Sequence, residues 1–424
     1  MVLCPACQAC GHHRVLDAPG QLHPRGPGRL VVSASRFALR LGAGLIIFRW
    51  LTLAALPYES LVAYGDLRHF HQLAQLAAGA GGWPFVGHWI EFPPLFPLLS
   101  LGLNRLVGGA EHSYVYALAA ALAFVDGLNL SLFVRLAARL DGRPGHTRPM
   151  MYAAFLALPA LGWWTFEPLG VLWLMLTLNL VLAARPGLAG LTAGMGLITK
   201  WLPGLGLLAA WPRLRGRQIL VAALVALAVL ALTWGPLLAL GGDRAWDSLR
   251  AQAAKPAWET VWALLDGTPG TGTFGPAALR LQPLSQVFPE PSASVVPPWL
   301  PVLAAGGIGA LLAFGKPRPS GRGGVAFVLA AFVLLLLASP GWSPQWVAYL
   351  APLILLALPE RSGWLYVAVL AAVAILEWPV LLSRGRFDML WLTVILRTAV
   401  MVLLAADAWR AARVAAPALD EAGL

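Results

Sequence analysis

The sequence predicts an all-α, polytopic membrane protein of about 12–13 transmembrane helices, with two long loops on the outer side that carry short interfacial helices. Three observations predict it. Of 424 residues, 59% are hydrophobic and 12% charged, whereas a soluble domain has about 45–50% and about 25%. The apolar residues gather into runs, most of them long enough to cross a hydrocarbon core of roughly 30 Å. The alternating ten-residue pattern of a barrel is absent, so the spans are helices, whose backbone groups pair within each segment.

The runs fall at 37–56, 94–108, 113–135, 150–163, 168–184, 187–211, 217–240, 298–315, 323–339, 343–358, 363–382 and 388–409. Splitting 187–211 at Lys200-Trp201-Leu202-Pro203 adds one more, because Pro203 removes a donor and clashes one turn back. No internal repeat is evident. The domain reading is a cytoplasmic tail over 1–35, one transmembrane domain over 36–410 and a second cytoplasmic tail over 411–424. The first tail has no signal-peptide pattern. It holds all three cysteines, Cys4, Cys7 and Cys10, followed by His12 and His13. That set suits a soft metal, but no second ligand pair follows to close a structural zinc site.

The net charge of +11 comes from 30 basic residues against 19 acidic ones. The basic residues sit mainly at the ends of apolar runs, where topology bias and lipid headgroups account for them without nucleic acid. Arg25, Arg29, Arg36 and Arg40 place the N-terminus in the cytoplasm, and Arg213 to Arg217, Lys316 to Arg322, Arg361, Arg410 and Arg413 mark later cytoplasmic turns. The long loops 57–93 and 241–297 then both face outward. The basic segment Arg135–Arg148 conflicts with this count. Either 94–108 is short or re-entrant and 187–211 makes two passes, or that loop breaks the rule.

Arg49, Asp126, Lys200, Glu377, Arg397 and Asp407 lie inside apolar runs, so each is expected to face the bundle or snorkel. Lys200 stands beside the predicted helix break, where unwound ends often bind charged groups. The other reading for it is a buried structural ion pair.

The loop 57–93 is dense in polar residues: Tyr64, Asp66, Arg68, His69, His71, Gln72, His88 and Glu91. Asp66 has the chemistry of a general base or a metal ligand. Glu91 stands just before Pro93-Pro94, where an acid also favours the positive end of a helix. In 241–297, WDSLRAQAAKPAWETVWALL reads as an interfacial helix pair broken at Pro256, followed by the turn-rich GTPGTGTFG. The stretch ASPGWSPQWVAYLAPL (338–353) sets Gln345, Trp346 and Tyr349 among prolines. Such aromatics anchor a membrane interface, and they equally suit a sugar's C–H patches and hydroxyls.

These segments together resemble the GT-C class of multi-spanning glycosyltransferases, specifically the polyprenyl-phosphate-sugar-dependent mannosyltransferase-like family. The resemblance rests on Tyr64-Gly65-Asp66-Leu67-Arg68-His69-Phe70, Gly82-Trp83-Pro84-Phe85 and Glu91-Phe92-Pro93-Pro94-Leu95. It continues through Gly194 to Lys200 and Pro203, Trp258-Glu259-Thr260-Val261-Trp262-Ala263, and Ser343 to Pro352. Phe92 stands for the family's tyrosine, Thr260 for its serine, and aromatics are exchanged at Trp346 and Tyr349. The matches run in order from 64 to 353.

The resemblance implies transfer of a sugar, with mannose favoured, from a polyprenyl-phosphate donor to a lipid or glycan acceptor, with inversion. Asp66 would deprotonate the acceptor hydroxyl. Lys200, Arg68 and His69 would offset charge on the departing phosphate. Tyr64, His71, His88, Glu91, Glu259, Gln345, Trp346 and Tyr349 would line the substrate pocket. No nucleotide-binding loop is evident; a divalent cation is compatible with the reaction, although no close pair of acids marks a site for it. The setting implied is the cytoplasmic membrane of a prokaryote, with the site on the outer face. A transporter or lipid flippase is the main alternative, since broken helices and buried charges serve it too.

Overall fold

The computed structural model describes residues 27–79, 82–142, 145–159, 162–254, 257–268, 270, 297, 299–314 and 321–414. The cysteine cluster, Pro256 and most of 267–275 lie outside them. Apart from two isolated bridges, the regular secondary structure of the described residues is all helical.

In chain order the helices are α1 (Pro27–Ala55), α2 (Tyr58–Val62), α3 (Leu67–Ala78), α4 (Leu95–Leu106), α5 (Glu111–Asp141), α6 (Thr147–Leu156), α7 (Glu167–Leu182) and α8 (Pro186–Thr199). After a 3-10 segment (Leu202–Ala210) come α9 (Gly216–Gly241), α10 (Asp243–Ala254), α11 (Val261–Leu265), α12 (Trp299–Phe314), α13 (Gly321–Ala338), α14 (Val347–Ala357), α15 (Glu360–Ile375) and α16 (Leu390–Arg413).

Among the described residues, six stretches are long and apolar enough to span a membrane: Ser35–Ala55, Glu111–Asp141, Gly216–Gly241, Gly321–Ala338, Glu360–Arg384 and Phe387–Arg413. Several other apolar runs fold as shorter helices, including α4, α7 and α8, so about half of the expected spans meet the length criterion alone. The outward faces of α1 and α9 are bare hydrocarbon, with Leu51 66% and Leu232 78% exposed. That is the surface of a protein solvated by lipid. The chain is a polytopic, all-α membrane protein.

Small residues let α1 and α5 pack closely. A side chain on Gly127 would meet Ile46 at 2.3 Å, and one on Gly42 would meet Ser131 at 2.2 Å. The α1 and α5 backbones therefore approach as closely as helices do in membranes, where packing replaces hydrophobic drive.

The length of α4 bears on the conflict over Arg135–Arg148. Twelve residues span about 18 Å, too short for a roughly 30 Å core. Arg148 donates to the carbonyls of Leu355 and Leu358 and lies 3.6 Å from Asp141 and 3.7 Å from Glu360. Arg322 pairs with Asp141. The basic segment thus shares one end of the bundle with Arg322 and Glu360, and a short α4 makes that possible.

The charges inside apolar runs are paired. Arg49 binds Asp126 between α1 and α5, stacked 4.6 Å from the Trp163 ring. Glu377 binds Arg397, and Asp407 accepts from Tyr366 and Arg410. A charge in hydrocarbon is costly, so each turns to an internal partner.

Candidate functional site at the opposite end

The site forms where three chain breaks meet. At the first, Gly65 takes the left-handed φ of +81° against Trp164, and the Asp66 amide donates to the Trp164 carbonyl at 3.1 Å. Asp66 caps α3 with its backbone only, so the carboxylate is left for other partners. At the second, Glu167 opens α7 immediately before Pro168, a position where the helix dipole favours an acid. At the third, α8 stops at Thr199. Lys200 adopts an extended conformation (φ −162°, ψ 139°) before Pro203 opens the 3-10 segment. The break turns the lysine out of its helix.

Lys200 and Glu167 form an ion pair, with the Glu167 side chain 1% exposed. The ammonium stands 4.8 Å from the Phe166 ring centroid and 6.0 Å from that of Trp346. Glu167 Oε2, Thr165 Oγ1, Trp346 Nε1 and Tyr349 Oη are buried there without a protein hydrogen-bond partner. An indole N–H only donates, and a hydroxyl does so readily. With the ammonium, this rim is richer in donors than acceptors and suits an acceptor-rich, anionic group. Gly170 makes room for the tyrosine, since a Cβ there would sit 2.2 Å from Tyr349 Oη.

Asp66 completes the cluster. Its carboxyl is pushed up to about 6, chiefly by burial and further by the Glu167 and Glu91 charges, against the lowering pull of His69 and Lys200. His69 Nε2 lies 3.4 Å from Glu91 Oε1. A carboxylate near 6 that keeps partial solvent access is poised to accept a proton at neutral pH.

A second hub braces the segment 257–268 beside this cluster. The Trp258 amide donates to Pro340 O at 3.1 Å, and the Trp342 amide donates to Trp258 O at 3.2 Å. Arg397 binds Glu377 and also donates to the Glu259 carbonyl. Trp342 Nε1 donates to Glu377 Oε2 at 3.1 Å. Glu259 has a left-handed φ of +52°, a conformation costly for a non-glycine residue. Trp342 stands edge-on to Trp346 at 6.0 Å, which links the brace to the lysine.

The structure brings Asp66, His69, Glu91, Lys200, Trp346 and Tyr349 together. Tyr64 sits at the margin, 6.4 Å edge-on to Trp164, and Gln345 lies partly exposed beside Trp346. Arg68 and His71 point away: Arg68 donates to Glu111 at 2.8 Å, and His71 contacts Gly109 O at 3.0 Å. Helical spacing puts residues 68, 71 and 75 on one stripe and 66 and 69 on another. His88 is buried in the turn where its carbonyl accepts from the Phe85 amide, and Glu259 belongs to the brace. Sequence reasoning missed Glu167. Its signal is an acid just before a proline at the mouth of an apolar run, the same cue that singled out Glu91.

Among the described residues, no three His, Cys, Asp or Glu side chains group as metal ligands. No family model, curated protein or solved structure matches this chain.

Proposed function

We propose that the chain is a membrane glycosyltransferase. It would move a sugar from a polyprenyl-phosphate donor to a lipid or glycan acceptor at the outer face of a prokaryotic cytoplasmic membrane. One observation carries this reading: a base-competent Asp66 stands with a donor-rich, lysine-centred, aromatic-walled rim at one end of a lipid-solvated bundle. Asp66 takes the proton of the acceptor hydroxyl as that oxygen attacks the anomeric carbon from the face opposite the phosphate, inverting it. The bond to the phosphate oxygen breaks, and Lys200 stabilises the charge that collects there. Trp346, partly exposed, offers a face to the sugar or the first isoprene unit. In family terms this is the GT-C plan, with mannose favoured as the sugar.

The helix break at Lys200 is also the device of a transporter, so the test must separate the two. Purified protein in proteoliposomes is given a panel of radiolabelled polyprenyl-phosphate sugars and host glycolipid, with Asp66→Asn in parallel. Transfer that requires Asp66 supports the reading. Equal transfer by the variant removes Asp66 as base, and donor flux without transfer favours the transporter.

A further inference from the structure

We infer that Glu167 is the resident counter-ion of Lys200 and that a donor phosphate displaces it, so that donor binding draws one proton into the site. The inference rests on the reading above. It adds the chemistry of how an anion enters a site that already holds an acid on its cation.

The Glu167 carboxylate is nearly fully buried, and Lys200 is the cation that neutralises it. Its second oxygen has no protein partner. The groups facing it are Lys200 at the end of α8, Asp66 before α3 and Tyr349 from α14. His69 and Glu91 lie beyond Asp66. A phosphate that takes the ammonium leaves Glu167 buried with no cation, beside the like-charged Asp66. A buried carboxylate in that state is neutralised by a proton rather than left ionised. Charge then balances: lysine pairs with phosphate, Glu167 is neutral, and Asp66 stays ionised to act as base. The ammonium already stands beside the Phe166 and Trp346 rings.

The test is calorimetric binding of methyl farnesyl phosphodiester, which has no titrating proton near neutrality. Wild type is measured at pH 7.5 in two buffers of different ionisation heat, with Glu167→Gln, Asp66→Asn and Lys200→Met alongside. Wild type is expected to take up about one proton per ligand, with Kd rising about tenfold per pH unit above neutrality. Glu167→Gln is expected to abolish the uptake and bind at least about tenfold tighter at pH 8. Asp66→Asn should keep the uptake, and Lys200→Met should lose binding. Binding by wild type without proton uptake, weaker binding by Glu167→Gln, or uptake lost in Asp66→Asn overturns the inference and leaves the transferase reading standing. Failure of folded wild type to bind the phosphodiester overturns both.

Discussion

The acid limb of activity tests the environment of Asp66 directly. Its carboxyl lies near 6 rather than at the ordinary 3.8. If the carboxylate is the base, the transfer rate at saturating donor falls as pH drops through 6. Activity at pH 5 is then about 10% of that at pH 7, whereas an unperturbed aspartate would keep about 94%. Two substitutions should move the limb in opposite directions. Glu91→Gln removes a like charge and shifts it to lower pH, while His69→Gln removes the neighbour that lowers the Asp66 carboxyl and shifts it higher. The linkage sign gives an independent readout. A carboxyl raised in the folded state stabilises the fold fully below about pH 4 and loses that contribution as pH rises through 6. Asp66→Asn should therefore melt no lower than wild type at pH 7.5 while transfer collapses. The assay is initial-rate transfer from pH 4.5 to 8, with thermal melting of both proteins. A rate flat between pH 5 and 7, or limbs that move together in the two variants, would refute the argument.

Lys200→Met strips Glu167 of its cation and should cost about 3–5 kcal/mol; adding Glu167→Gln should recover most of the melting temperature but not transfer. Arg397→Leu leaves Glu377 buried without its cation, held by Trp342 Nε1, and frees the Glu259 carbonyl, at a similar cost of about 3–5 kcal/mol. Hydrogen exchange at 257–268 should then rise well above that at α5. Gly170→Ala drives a Cβ to 2.2 Å from Tyr349 Oη. It should lower activity more than Tyr349→Phe does, because the ring itself must move; equal effects would show that only the hydroxyl matters.

Without any tertiary contact, the sequence determined the solvent of the fold, the helical class and the inward orientation of the intramembrane charges. Hydrocarbon runs and the cost of a bare charge in lipid act locally, so composition and spacing suffice. The break after Thr199 was equally visible, because Pro203 imposes it on its own turn. Asp66 and Glu91 stood out as acids in a polar loop. The partners were not visible. Lys200 meets Glu167 across 33 positions, and Arg49 meets Asp126 across 77, pairings that depend on which helices lie side by side. Packing also decided that Arg68 and His71 turn to Glu111 and Gly109 while His69 turns to Glu91, since one helix cannot present every face to one cleft. It decided too that 94–108 is only a short helix. A hydropathy run records preference for lipid, whereas the length of helix it forms depends on prolines, caps and neighbours that fold around it.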